Sequence, residues 1–309
     1  MAQISAKQVA ELRAKTGVGI MDCKKALIET DGNFDEAIKF LREKGLAVAA
    51  KKADRIAAEG IVDIMLSEDN KTAAMIEVNV ETDFVAKNES FQEFVRGLLR
   101  TILCTRPADV DALKAAKFDG GEMTVEEALK EKIFTIGENM SIRRFMITEG
   151  VLSTYIHGKG VTGVIVKFDA DETAASNPGF AEMAKNVALQ VAAMNCLYTN
   201  KAEVPESVLD EEKEILMNQI KNDPKNASKP AQIIEKMVTG RIGKFYETNC
   251  LEDQAYVKDD AMSVGKYIDT CAKEFGGSIK LNKFFRYEKG EGLQKREDNF
   301  AEEIANMVK

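Results

Sequence analysis

The first 45 residues place apolar side chains three and four positions apart between turn residues, a pattern typical of short amphipathic helices. Ser5 and Gln8 have the spacing of a capping box, and Gly17 supplies a stop for the first helix. We predict a second helix over residues 21–28 and a third over residues 33–45, ended by a glycine. Because so small a unit has little core of its own, we expect it to present a face to a partner.

Two later stretches of the chain repeat each other at an offset of 89 or 90 residues. The echoes are Gly60-Ile61-Val62 with Gly150-Val151-Leu152, residues 73–80 with residues 162–168, and residues 88–91 with residues 177–180. Each copy has the pattern of a strand, a turn, a second strand and then a helix. Two copies are too few for a solenoid, so we predict two packed sheet-and-helix subdomains in an α+β architecture.

Beyond the second copy, the pattern changes to two helical runs around a breaker. The runs cover residues 206–221 and 233–245, and the breaker, residues 222–230, contains two prolines. This pattern predicts an antiparallel helical hairpin, either a projecting arm with a coiled-coil seam or a hairpin packed inside the core. A strand at residues 279–287 and a last helix at residues 300–308 complete the predicted elements.

Length, composition and charge indicate a globular protein and argue against membrane and nucleic-acid-binding classes. The chain has 309 residues, 45% hydrophobic and 30% charged, which is enough for about two globular domains. Its net charge of -8 argues against a main task of gripping nucleic-acid phosphates, which requires clustered Lys and Arg. No apolar run approaches the roughly 18 residues of a membrane span, and no secretory pattern opens the sequence. We therefore expect a cytoplasmic protein that does not act at a membrane.

The number and spacing of the cysteines and the single histidine argue against a catalytic or metal site. Five cysteines are scattered without paired spacing, so a structural zinc site is not expected and the thiols are interpreted as structural or incidental. The only histidine is His157, and neither a G-x-S-x-G nor an H-E-x-x-H motif accompanies it. Nothing in the sequence predicts a nucleophile, a metal or another cofactor.

One glycine motif resembles a nucleotide-binding fingerprint, but its position in the chain argues against that function. Residues 158–163 match G-x-G-x-x-G letter for letter. The dinucleotide fingerprint must open a helix, whereas a strand pattern, residues 164–168, follows here. We therefore predict a hairpin turn, with His157 at its tip as either a plain surface residue or a polar contact for a partner.

The segment over residues 80–87 joins the second strand of the first copy to its helix, and loops at such a sheet end commonly carry function. Alternation along the strand allows Phe84 to point into the core. The second copy, however, has Thr173 or Ala174 at the equivalent place, so the shared fold does not require an aromatic there. An exposed Phe beside an Asp would suit a wedge for a partner.

Five sequence blocks, taken in order along the chain, resemble the bacterial translation elongation factor Ts family. The blocks are Leu12-Arg13 with residues 16–27, residues 82–87, Ile136-Gly137-Glu138-Asn139 with Ile142-Arg143-Arg144, residues 235–241, and Arg286-Tyr287-Glu288 with residues 290–292. They span nearly the whole chain, and their combination is highly specific.

The resemblance implies a fold that agrees with the organisation above. It implies a ubiquitin-associated-like three-helix module with its linker, a core of two subdomains, a coiled-coil arm and a C-terminal helix. The boundaries that we predict are residues 1–55 for the module, 56–146 for the first subdomain, 147–202 with 251–290 for the second, 203–250 for the arm and 291–309 for the last helix.

The resemblance also implies a function and a set of residues. The family's activity implies guanine nucleotide exchange on elongation factor Tu, in its GDP-bound and nucleotide-free forms, with no chemistry of the chain's own and with a homodimer or a two-to-two complex left open. The residues implied to dislocate the magnesium bound with GDP are Thr82, Asp83, Phe84 and Val85. The residues implied to contact the partner are Arg13, Ile20, Met21 and His157; the family often has Met where Ile20 stands.

Two rival interpretations rest on the residues alone. An RNA-binding accessory factor would use a basic set, namely Lys24, Lys25, Lys51, Lys52 and Arg55. A hydrolase would use paired carboxylates such as Glu211 and Glu214, which we interpret as surface charge on a solvated helix.

Overall fold

A computed structural model describes residues 4–226 and 229–294. The helices in these ranges are α1 (Ala6–Thr16), α2 (Ile20–Glu29), α3 (Phe34–Lys52), α4 (Asp83–Ala86), α5 (Glu89–Thr105), α6 (Val110–Ala115), α7 (Val125–Ile136), α8 (Glu172–Ala175), α9 (Phe180–Ala193), α10 (Glu206–Asn222), α11 (Ala231–Asn249) and α12 (Val264–Phe275). The strands are β1 (Glu59–Leu66), β2 (Thr72–Val80), β3 (Met140–Glu149), β4 (Val151–His157), β5 (Thr162–Ala170), β6 (Ala255–Tyr256), β7 (Asp259–Ser263) and β8 (Ile279–Glu288). Mixed helices and small antiparallel sheets confirm the α+β class.

The three N-terminal helices form where the sequence predicts them, with one correction. Ser5 and Gln8 make the capping box of α1, and Gly17 ends that helix in the left-handed conformation, at φ 67°. The prediction that the third helix ends at Gly45 is wrong, because α3 continues to Lys52. Gly45 packs against the ring of Phe134, where a Cβ would lie 3.3 Å from ring atoms. The glycine therefore allows close helix packing on α7 instead of stopping α3.

The structure has two three-stranded sheets with similar strand arrangements, each built around one of the two repeated stretches of the sequence. One sheet has the order β1-β2-β3 and the other β4-β5-β8, all antiparallel. Both central strands are bulged at equivalent places, between Glu77 and Val78 and between Lys167 and Phe168. Each copy thus has a third strand, and the hairpin α10–α11 lies in the second copy before that strand.

The two copies pack in four layers. The outer face of the first sheet is covered by α5 and α7, and that of the second by α9 and α12, which forms two large apolar cores. The inner faces meet in a smaller cluster of buried residues, namely Val62, Ala73, Met75 and Ile165. Gly163 sits in this interface, where a Cβ would lie 2.5 Å from a methyl carbon of Val62. The close approach of β5 to β1 therefore requires a residue without a side chain.

A buried carboxylate also joins the copies. Glu77, fully buried in β2, accepts from Arg143 Nη1 at 2.8 Å and from Arg144 Nε at 2.7 Å, both in β3. It also accepts from Gly290 N at 2.8 Å, just beyond β8 in the other copy. Burial acts to raise the pKa of Glu77, but these hydrogen bonds outweigh it and hold that pKa below its ordinary value. Arg144 also lies over the ring of Tyr287, 4.1 Å from its centroid.

The helical hairpin forms as predicted, with its own apolar cluster. The buried residues of this cluster are Leu216, Ile220, Val238 and Ile242, two from each helix. They belong to neither core cluster of the sheets, so the hairpin packs on itself, which favours the arm over the hairpin packed inside the core. The helix predicted over residues 300–308 lies outside the described residues.

Candidate partner-binding surface

The segment that carries the predicted wedge is a single helical turn. Thr82 follows β2 and caps α4, its hydroxyl accepting from Val85 N at 3.3 Å. Val85 packs against the first core and Ala86 is buried, so these two residues anchor the turn. Phe84, on the opposite side of the turn, is 81% exposed. Of the two orientations that the sequence left open for Phe84, the structure has the exposed one.

Exposure of so large an apolar side chain is costly in water, and the fold itself does not demand it. The second copy makes the same turn, α8, capped by Asp171, with Ala174 buried where Val85 lies. Thr173 stands where Phe84 stands and is also exposed. The aromatic is therefore an addition to a turn that forms without one.

Two residues just before β3, Glu138 and Asn139, hydrogen-bond to the segment that carries the Phe84 turn. Both belong to the sequence block 136–139, to which no role was assigned. Glu138 accepts two hydrogen bonds from Thr82, at 3.0 Å from its backbone N and at 2.7 Å from its hydroxyl. In return, Glu81 accepts from Asn139 N at 2.6 Å. These contacts join residues more than 50 positions apart, so no local sequence signal revealed them.

Asp83 is charged and satisfied within its own turn. Lys87 Nζ donates to Asp83 Oδ2 at 2.6 Å, one helical turn away. This hydrogen bond is the main reason why the pKa of Asp83 lies below its ordinary value, with a further contribution from the positive charges of Lys87 and Lys289. Both side chains are well exposed, at 48% and 73%, so a partner could compete for either one.

His157 lies at the same end of the two sheets as the Phe84 turn. It is the exposed last residue of β4, with its Nδ1 3.2 Å from the hydroxyl of Tyr155. The turn after it, residues 158–160, is a hairpin turn leading into β5, as predicted for the glycine motif. Gly160 O accepts from Val62 N at 2.8 Å, which places this turn against β1 beside the first copy.

Lys289 contacts both the turn after His157 and the start of β1, next to the Phe84 turn. Its backbone N donates to Val161 O at 2.8 Å, and its side chain is paired with Glu59. Glu59 in turn pairs in the ladder with Val80, two residues before the Thr82 cap. The structure therefore brings His157 and the Phe84 turn to one edge of the molecule.

The N-terminal candidates form a second surface. Arg13 on α1 and Ile20 on α2 line one open groove of about 810 Å³, together with Ile4, Val9, Ala10 and Lys24. Ile20 is 51% exposed, and its neighbour Met21 is 73% exposed. The three-helix unit sits on the first copy, since Gly17 approaches Thr135 and Lys52 donates to Gly137 O. The structure thus holds two candidate contact surfaces on one body.

Several findings bear on other classes of site. Among residues 4–226 and 229–294, no group of three or more His, Cys, Asp or Glu side chains is placed to hold a metal ion. In the same part of the chain no helix is long and apolar enough to cross a membrane. The five cysteines are free thiols, and all but Cys104 are buried.

Comparison with known proteins gives one family. A family model described as "Elongation factor TS" matches residues 81–291. A protein named elongation factor Ts from Clostridium botulinum (strain Alaska E43 / Type E3) is 48% identical over 308 residues, 99% of each chain. One from Syntrophotalea carbinolica is 44% identical over 310 residues, covering 99% of this chain and 100% of the relative. The chain belongs to the elongation factor Ts family, the translation elongation factors that serve as nucleotide exchange factors for elongation factor Tu.

Proposed function

We propose that this chain is a guanine nucleotide exchange factor that binds elongation factor Tu with GDP, disturbs the magnesium and phosphate site, and promotes GDP release. The observation that carries this proposal is Phe84, a large apolar side chain displayed at 81% exposure on an anchored turn. Burying a Phe contributes roughly 1.5 to 3 kcal/mol, so a groove in the GTPase gains that much by accepting it. Phe84 would be the wedge and Asp83 its polar companion.

Thr82 and Val85 would serve the same dislocation of magnesium by shaping the turn. Thr82 caps it and Val85 anchors it to the core, so neither has to touch the ion. Bound magnesium supplies a large part of the electrostatic stabilisation of the GDP phosphates. A small displacement of the groups around the ion therefore weakens GDP binding substantially.

The wedge alone is not sufficient for strong exchange. Each tenfold loss of GDP affinity requires about 1.4 kcal/mol. Burial of Phe84 therefore accounts for about one or two decades. The remaining coupling would come from other contacts, for which the exposed candidates are Arg13, Ile20 and Met21 on the N-terminal helices and His157 on the second copy.

Coupling between sites is reciprocal, which gives the direction of the cycle. A factor that weakens GDP binding must itself be held less tightly once nucleotide returns. Binding of GTP would therefore release this chain from the nucleotide-free complex. The chain needs no active site for this work, and we place it in the cytoplasm, where translation takes place.

We also assign the parts of the chain on this basis. Residues 1–55 form a ubiquitin-associated-like module with its linker, 56–146 the first subdomain, and 147–202 with 251–290 the second. Residues 203–250 form a coiled-coil arm, while the C-terminal helix predicted over residues 291–309 falls largely outside the described residues. A homodimer or a two-to-two complex with the GTPase is compatible with this assignment.

Stopped-flow release of a fluorescent GDP from elongation factor Tu tests the proposal. Catalytic amounts of this chain should accelerate release many-fold, and added GTP should dissociate the complex. Release at the same rate with and without the chain would reject the exchange function. Titration with magnesium adds a check, because high magnesium should oppose the acceleration.

A further inference from the structure

The junction between the ends of β2 and β3 is closed by side chains. The last backbone pair of the ladder is Val80 with Met140. Beyond it, each segment supplies one carboxylate to the other: Glu81 accepts from Asn139 N, and Glu138 accepts from Thr82 N and Thr82 Oγ1. Hydrogen bonds to ionised groups are roughly twice as strong as neutral ones. This reciprocal pair therefore extends the order of the sheet past its last rung.

The hydrogen bond that Glu138 accepts from the Thr82 hydroxyl also orients that hydroxyl as the cap of α4. Because the hydroxyl of Thr82 donates to Glu138 Oε1 at 2.7 Å, its lone pairs remain available for Val85 N, which lies 3.3 Å away. A hydroxyl carries one donor and two acceptor positions, so both bonds exist together. Glu138 thus fixes both the backbone and the side chain of the residue that starts the Phe84 turn.

The junction at Glu81, Thr82, Glu138 and Asn139, called the corner below, also contacts the linker that follows the N-terminal helices. Asn139 Nδ2 donates to Arg55 O at 2.8 Å and to Ala53 O at 3.3 Å, and Asn139 is itself buried. The corner therefore lies between the two candidate contact surfaces, with direct bonds to the Phe84 turn on one side and to the linker on the other.

The second copy closes the equivalent junction without a residue like Glu138. There the cap Asp171 carries the carboxylate itself and accepts from Ser278 N at 2.6 Å, while Asp171 N donates to Ser278 O at 3.1 Å. The residue before Ser278 is Gly277, where a Cβ would lie 2.8 Å from Ala174 Cβ and would also clash with Asp171. In the second copy the carboxylate thus belongs to the cap itself, whereas in the copy that carries the exposed aromatic it belongs to Glu138, on the neighbouring segment, and holds the Thr82 cap from there.

We propose that Glu138 is a positioning residue for nucleotide exchange, holding Thr82 so that the turn presents Phe84 in one orientation. This inference rests on the proposed function of Phe84. Glu138 itself acts through Thr82 and need not touch the GTPase. Its removal should leave the contacts of the N-terminal helices in place while the wedge loses its fixed direction.

The test measures GDP release from elongation factor Tu against the concentration of the full-length chain. Glu138→Ala should lower the maximal release rate about tenfold, the equivalent of about 1.4 kcal/mol. The half-saturating concentration should change by less than about threefold, because the other contacts remain. Glu138→Gln, which keeps one acceptor for Thr82, should restore most of the rate. The matched control Asp171→Ala, which breaks the junction of the second copy, should leave the rate within about twofold.

Combination with Phe84→Ala separates positioning from a general structural role. If Glu138 acts through Phe84, Glu138→Ala should cost less than about twofold further in the Phe84→Ala background. A further tenfold loss in that background would overturn the proposal while leaving the exchange function intact. Wild-type protein that does not accelerate release would instead reject the exchange function itself.

Folding of the variant is controlled separately. Should Glu138→Ala be unfolded at the assay temperature, Thr82→Val removes the hydroxyl that Glu138 holds and addresses the same bond. We expect a loss of maximal rate in the same direction, again nearly absent in the Phe84→Ala background. A folded Thr82→Val or Glu138→Ala protein with the wild-type rate would contradict the proposal.

Discussion

At the end of its second strand, each copy of the duplicated core makes a capped four-residue helical turn, yet one copy places Phe84 on it and the other Thr173. Both side chains are exposed, and both turns are anchored by a buried or half-buried residue on the other side. Since the turn forms equally well with a threonine, packing within the chain does not explain the phenylalanine. The aromatic is therefore not needed for the turn to fold, which is consistent with the partner contact that we propose for Phe84.

Two further pairs of equivalent positions differ between the copies. At the bulge of the central strand, the first copy has the fully buried Glu77 and the second has the half-buried Lys167. At the start of the first strand, Gly60 and Gly150 share a backbone conformation, at φ 134° and 136°, but have different neighbours. A substitution in the first copy can therefore be compared with the same substitution at the equivalent position of the second copy.

The largest effect on stability should come from Gly60→Ala. A Cβ there would clash with the backbone oxygen of Val78 and lie 2.7 Å from the Cα of Asn79, whereas at Gly150 it would meet only the flexible side chain of Lys167. We expect Gly60→Ala to lower the free energy of unfolding by about 3–5 kcal/mol and Gly150→Ala by about 1–2 kcal/mol. Denaturant unfolding of both variants measures the difference, and equal losses would show that the shared backbone angle alone is responsible.

A smaller loss is expected at the buried carboxylate. Glu77→Ala leaves Arg143 and Arg144 without their shared partner and frees Gly290 N, so stability should fall by about 2–4 kcal/mol. Lys167→Ala should cost less than about 1 kcal/mol. Unfolding curves that rank the two variants the other way would remove Glu77 as the link between the copies.

The same carboxylate predicts a pH dependence. Because the pKa of Glu77 is depressed in the folded state, its stabilisation is fully present above the unfolded pKa and is lost as pH falls through the folded pKa. Stability should therefore decline below about pH 4.5, the ordinary value for this group. Glu77→Gln should show a shallower decline over that window than wild type, and identical slopes would contradict the assignment.

Exchanging the two exposed residues tests whether position or side chain matters. The double variant Phe84→Thr with Thr173→Phe keeps the composition of the chain but moves the aromatic to the second copy. It should accelerate GDP release about 10- to 100-fold less than wild type, since one Phe burial corresponds to one or two decades. A double variant as active as wild type would mean that an aromatic in either turn serves.

The smallest effect concerns the ion pair within the Phe84 turn. The second copy has Glu172 and Ser176 at the positions of Asp83 and Lys87, so its turn forms without this pair. Lys87→Ala should therefore change the free energy of unfolding by less than about 0.5 kcal/mol. A loss above about 1 kcal/mol in thermal or denaturant unfolding would show that the pair helps to build the turn.

Periodicity in the sequence was sufficient to predict the N-terminal helices, the strand pair and following helix of each repeated stretch, and the two helices on either side of the breaker. It did not predict β3, because Arg143 and Arg144 interrupt its alternation, and both pair with Glu77 on the neighbouring strand. It also misassigned Gly45, whose role depends on Phe134 in a helix far along the chain.

The candidate site was predicted in a similar, partial way. Repetition raised the possibility that Phe84 is exposed, since the second copy lacks an aromatic there, and the structure confirms the exposure. The hydrogen bonds from Thr82 to Glu138 could not be predicted, because the two residues lie 56 positions apart and meet only through the register of β2 and β3. Contacts that arise from tertiary register leave no local pattern.

The most direct test of the role of Phe84 compares GDP release from elongation factor Tu with wild type, Phe84→Ala and Thr173→Ala, together with their melting temperatures. We expect Phe84→Ala to lose at least tenfold in release rate, Thr173→Ala to keep the wild-type rate, and all three proteins to melt at nearly the same temperature. A wild-type rate for Phe84→Ala, or a loss explained by a lowered melting temperature, would contradict the claim that this exposed side chain exists for the partner.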